Sequence, residues 1–199
     1  MREQDKDRSE KGLTMATTEG RRTVHTPRTF NSHSLPTAAR PVDYVWAVAR
    51  ISLGWVFLWA FLDKAFGWGL ATPAARSWIN GGSPTTGFLK GTGENALGGF
   101  FSSLAGQTWV DWLFMLGLLG IGAALITGAG MRIAAATGSL LLVFMWAAEL
   151  PLANNPFMDE HLIYAVVLIG LALASAGNTL GIGTWWSRTA IVQKYPILK

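Results

Sequence analysis

A largely apolar run from Tyr44 to Phe66, YVWAVARISLGWVFLWAFLDKAF, constrains this chain more than any other feature. As a helix it is long enough to cross a hydrocarbon core of about 30 Å. It also carries Arg50, Asp63 and Lys64. Ionised side chains inside a bilayer cost about 2.5–3.5 kcal/mol each on insertion scales, so a span that keeps them has a use or an escape for them. At about 100° per residue, Arg50, Gly54, Phe57, Phe61 and Lys64 share one face. Arg50 and Lys64 lie about 21 Å apart along the axis, slightly inside the two edges of the core. Two readings stay open. Both side chains snorkel to the nearer interface, or the stripe faces the interior of a bundle and Lys64 lines an anion or quinone pocket.

Composition places the rest of the chain in the same class. Of 199 residues, 50% are hydrophobic and 14% charged, with 10 Trp and 23 Gly, which reads as one polytopic membrane domain. The net charge of +4 is modest, and half of the Lys and Arg residues precede position 41. That is a property of a tail, and nucleic acid is not an expected partner. The absence of cysteine excludes disulfides, thiolate nucleophiles, iron–sulfur ligation and covalent c-type haem attachment for this chain. Redox chemistry here would need a bound cofactor, a bound substrate or a partner.

Residues 1–40 are polar and mixed in charge, and are expected to form a disordered cytoplasmic tail. Arg21-Arg22 invites a twin-arginine reading, but the first apolar run is distant, too long and too charged for a signal. His25 and His33 lie in this tail with nothing to support a metal role. Pro41 and Asp43 open the first helix, and Gly67, Gly69 and Pro73 end it. A connection of some forty residues follows, with short helices predicted from Thr72-Pro73 through Trp78 and over Asn95 to Ala105. Its aromatics favour a packed cap over a free linker. Further spans are predicted over Trp109–Thr127, Met131–Leu150 and His161–Asn178. Trp109, Trp112, Trp185 and Trp186 serve as interface anchors. Gly117, Gly120 and Gly122 would allow close helix approach.

Basic residues concentrate in the N-terminal tail, the Arg132 turn and the C-terminal end, whereas the long loop carries only Arg76 and Lys90. The positive-inside rule then puts both termini in the cytoplasm of a multi-pass plasma-membrane protein. The expected fold is all-α, a four-transmembrane-helix antiparallel bundle over 41–187. A long structured extracytoplasmic loop joins helices one and two, and 188–199 form a basic cytoplasmic C-terminal tail. This topology gathers Asp63, Lys64, Asp111, Glu149, Asp159, Glu160 and His161 at one end. Asp63, Asp111 and Asp159 read as solvated helix ends. Glu149 reads equally as an interface residue or as the buried partner of Lys64. His161 is a structural group or a proton donor, since imidazole titrates near neutrality. A single membrane histidine cannot supply two axial imidazoles to a haem. No close His/Asp/Glu spacing in the sequence points to zinc, so neither metal nor haem is expected.

The run RISLGWVFLWAFLDK from Arg50 to Lys64 resembles the first helix of the DoxX/DoxD membrane family. SPTTGFLKG at Ser83–Gly91, GGFFSSLAG at Gly98–Gly106 and NPFMDEHLIYA at Asn155–Ala165 are similar to the DoxD branch. The resemblance covers about 43–187. It implies the membrane subunit of a thiosulfate:quinone oxidoreductase, with quinone as electron acceptor and a small DoxA-like partner subunit. Under that expectation Lys64, Glu149 and His161 are the catalytic candidates. Arg50, Arg76 and Lys90, with Trp59 and Trp68, are the candidates for binding a sulfur anion and a flat quinone ring. The alternative is a non-catalytic scaffold that docks a soluble redox or oxidative-stress protein. Membrane lipid is a partner in either case, and a homo-oligomer is left open.

Overall fold

The structure, a computed structural model, describes residues 39–199. The expected disordered tail, with Arg21, Arg22, His25 and His33, lies outside the described residues apart from its last two positions. Among the described residues the regular structure is entirely helical.

Helix α1 spans Pro41–Phe66. Pro41 stands at its first position, and the Asp43 carboxylate accepts the Arg40 backbone N–H at 2.7 Å. Both features satisfy an N-terminus that has spare donors. The helix stops at Gly67, whose φ of 67° turns the chain left-handed and returns its N–H to Asp63 O at 2.8 Å. In the connection, 3-10 turns cover Ala74–Arg76 and Trp78–Asn80, followed by α2 at Thr86–Gly91 and α3 at Gly98–Ser103. Two tight turns thus stand where one short helix was predicted, and α2 was not foreseen.

Helices α4 (Thr108–Thr127) and α5 (Met131–Glu149) follow, within a residue of their predicted spans. With α1 they make three helices long and apolar enough to cross a membrane. Helix α6 covers only Glu160–Leu173, 14 residues, where 18 were predicted. The difference lies in the run Ala174–Asn178. Ser175 adopts φ 52° and the next residues tighten into a 3-10 turn, Ala176–Asn178. Short segments α7 (Gly183–Trp186) and α8 (Ala190–Lys194) close the chain. The expected basic tail is folded: Val192 is fully buried, and Arg132 donates to Pro196 O at 3.0 Å.

Helices α1 and α4 run antiparallel and touch through glycine. A Cβ on Gly54 would lie 2.8 Å from Leu125 Cβ, and one on Gly122 would lie 2.8 Å from the Leu58 backbone N. Where lipid surrounds a helix pair there is little hydrophobic gain in pairing, so close backbone approach through small residues supplies the attraction. Of the three glycines singled out on α4, Gly122 does this; Gly117 and Gly120 face open space. Helices α5 and α6 are also antiparallel, with Gly138 under Leu168 and the Ser139 hydroxyl donating to Ala165 O at 3.1 Å. Leu53, Phe57, Met115, Ile121, Leu142 and Leu168 fill the space between these pairs.

Candidate functional site

Arg50 is 0% exposed. Its guanidinium donates to Leu125 O, to Ile126 O at 3.0 Å, to Leu180 O at 2.8 Å and to Thr179 O at 3.3 Å. Those four carbonyls come from the last turn of α4 and from the segment after α6. Carbonyls at a helix C-terminus lack intrahelical donors, and a planar fork of N–H groups is matched to several at once. Gly128, Gly177 and Gly181 let the backbones close around this side chain; Gly177 and Gly128 would each clash with the other on gaining a Cβ. This explains why α6 ends early: the chain must bend after Leu173 to deliver Thr179 and Leu180 to Arg50. Arg50 does not snorkel; it was a candidate for binding substrate, and its terminal nitrogens instead meet backbone carbonyls, away from the candidates at the other end of the helices.

At that other end lie the C-termini of α1 and α5 and the N-termini of α4 and α6. Asp63 and Asp111 are 1% and 7% exposed, so neither is a solvated end. Asp111 Oδ1 accepts the Ser83 hydroxyl at 2.9 Å, the Thr85 hydroxyl at 2.6 Å and the Thr85 N–H at 3.2 Å. Asn95 donates to Ala148 O at 2.8 Å and Ala96 N–H to Leu150 O at 2.9 Å. The long connection is therefore tied to the beginning of α4 and the end of α5, as the packed cap predicted for it. Asp111→Ala is expected to remove about 1.5–3 kcal/mol, because three donors lose one anionic acceptor. Limited proteolysis within 80–106 should quicken markedly, with Asp111→Asn intermediate. Asp63 differs: neither of its carboxylate oxygens has a hydrogen-bond partner among the described residues.

The chemistry-bearing group at this end is Glu149, Asp159 and His161. Asp159 is the N-cap of α6, its Oδ1 accepting Leu162 N–H at 3.1 Å, which anchors the start of the helix. Its Oδ2 stands 2.7 Å from His161 Nδ1. Glu149, the last residue of α5, brings a carboxylate oxygen to the same place, and one ligand atom from each residue falls within 4.8 Å of the others. His161 is 9% exposed. A carboxylate on Nδ1 orients an imidazole and leaves Nε2 to act outward. Glu149 and His161, two of the three catalytic candidates, are thus brought together. Asp159, read as a solvated end, is the member that sequence reasoning missed. The sequence placed all three at this end but gave Asp159 no role in the site; its N-cap position, two residues before His161, was the available signal.

Lys64 does not join them. Among the described residues it forms no salt bridge and no side-chain hydrogen bond, so of the two readings left open for Glu149 the pairing with Lys64 is absent. Arg76 and Lys90 are exposed in the cap. Trp59 and Trp68 do stand together, ring centroids 5.3 Å apart, in a ladder that continues to Trp55 at 5.7 Å and, from Trp68, to Phe66 at 5.8 Å. A shallow apolar hollow of about 340 Å³ lies against Trp55, Val56 and Trp59. Comparison of the chain with models of known protein families, with curated proteins and with solved structures returns no match.

Proposed function

We propose that this chain is a DoxX/DoxD-type plasma-membrane protein. In this reading α1, α4, α5 and α6 form a four-helix membrane bundle, and the folded cap lies outside the cell. It acts as the membrane subunit of a quinone-linked oxidoreductase that takes electrons from a sulfur anion such as thiosulfate. The observation that carries this reading is the approach of Asp159 and Glu149 to His161. Reducing a quinone to a quinol consumes two electrons and two protons. An imidazole held by a carboxylate at the end of the helices suits the delivery of those protons. The aromatic ladder from Trp55 to Trp68 offers flat apolar surface for the ring. The electrons come from the anion directly or through a partner subunit.

The test is thiosulfate-dependent quinone reduction by the full chain in nanodiscs, alone and after co-expression with a candidate small subunit. Turnover in either preparation is expected. Its absence in both would overturn the enzyme reading. The firmly tied cap favours one alternative, a membrane scaffold that docks a soluble redox partner. In that case changes at Phe100, which is exposed on the cap, would break partner capture while changes at His161 would not.

A further inference from the structure

We propose that Glu149, Asp159 and His161 form a binding site for one divalent transition-metal ion of the zinc class. The proposal rests on the placement of these three side chains and stands apart from the quinone reading. Zinc takes nitrogen and carboxylate oxygen ligands at about 2.0–2.2 Å, which puts ligand atoms roughly 3.4 Å apart in a tetrahedral site. Here one atom from each residue already lies within 4.8 Å of the others; to seat an ion the hydrogen-bonded Asp159 Oδ2 and His161 Nδ1, 2.7 Å apart, would part slightly and the Glu149 carboxylate would draw in. One imidazole with two carboxylates matches a zinc site that keeps its fourth position open.

Charge points the same way. Two carboxylates face one imidazole, and among the described residues no Lys or Arg forms a salt bridge with either. The Glu149 side chain makes no hydrogen bond among the described residues, while the side chains of Asp159 and His161 are about nine-tenths buried. Acidic groups taken from water are usually paired with a cation or coordinate a metal. The mounting is also stiff. Asp159 is held by its N-cap bond to Leu162, and the carbonyls on either side of Glu149, Ala148 O and Leu150 O, accept from Asn95 and Ala96. An ion here would join the end of α5 to the start of α6 across the turn 150–159.

The full chain, purified without a histidine tag, would be stripped with chelator in nanodiscs and titrated with Co²⁺, then with Zn²⁺ in competition. All measurements would be made in a His25→Asn/His33→Asn background, which removes the only other histidines. One Co²⁺ per chain is expected, with visible d–d absorption that Zn²⁺ abolishes. Glu149→Gln and Asp159→Asn, which keep side-chain size, should each weaken binding tenfold or more, and His161→Ala should remove it. At equal concentration Zn²⁺ should raise the thermal midpoint of the parent chain by clearly more than that of Glu149→Gln. No stoichiometric Co²⁺ signal, or a signal unchanged in Glu149→Gln, would overturn the proposal. The ion and a proton would compete for the same lone pairs, so Zn²⁺ should also slow any quinone turnover. Binding without turnover would sink the redox reading alone, and turnover without binding would sink the metal site alone.

Discussion

Arg50→Ala is expected to destabilise the protein by about 3–5 kcal/mol, because four backbone carbonyls lose a charged donor at roughly 1–3 kcal/mol each, offset in part by relief of the cost of burying that charge. The guanidinium is the shared donor for Leu125, Ile126, Thr179 and Leu180 carbonyls. Removing it leaves four acceptors without this donor, at a junction where the backbones at Gly128 and Gly177 close on one another. Both the end of α4 and the turn after α6 should loosen together. Arg50→Lys keeps the charge but not the fork, and should fall between parent and Ala. Arg132 supplies the comparison. It is exposed and its side chain makes one bond, to Pro196 O at 3.0 Å, so Arg132→Ala should cost under about 1 kcal/mol. Thermal unfolding in detergent, followed by tryptophan fluorescence, ranks the three. An Arg50→Ala protein as stable as its parent would mean that these hydrogen bonds do not hold the structure together.

Under the proposed quinone-reductase reading, His161→Gln is expected to lower turnover by about 100-fold or more, the usual contribution of a positioned acid or base. Glutamine can still hydrogen-bond to Asp159 but cannot pass a proton near neutral pH. Asp159→Asn should lose less activity, since it disturbs the orientation of the ring and leaves the imidazole in place. Asparagine can still accept the Leu162 N–H as the N-cap of α6, so only the charge at the helix N-terminus is lost, about 0.3–1 kcal/mol, and activity is compared at equal amounts of folded protein. Lys64→Ala provides the contrast between the sequence and the structure. As the partner of Glu149 it would be needed for activity; standing apart, it should matter far less than His161. Equal activity of His161→Gln and parent would remove the proton-delivery role.

The helices themselves were legible because they depend on short-range information. Apolar runs of bilayer length located α1, α4 and α5, and Pro41, Gly67 and Gly128–Gly130 located their ends. The packed character of the long connection was also readable from its aromatics, although α2 within it was not. The acids were harder. A single Asp at a helix end looks the same in sequence whether it meets water or three donors, and only the folding of Ser83 and Thr85 over Asp111 distinguishes the two.

The sequence by itself determined where the apolar helices lie, that cysteine chemistry is absent, and that Glu149 and His161 come near one end of the helices. Tertiary structure alone decided three further matters. Arg50 became a clamp because carbonyls distant by 75 and 130 residues converge on it. Helix α6 was cut short because the chain beyond Leu173 bends to supply two of those carbonyls. Asp159 joined Glu149 because α5 and α6 pack antiparallel and bring the end of one beside the start of the other. Helix formation follows local periodicity, whereas hydrogen bonding and ligand geometry depend on which distant backbones meet, and that is set by packing.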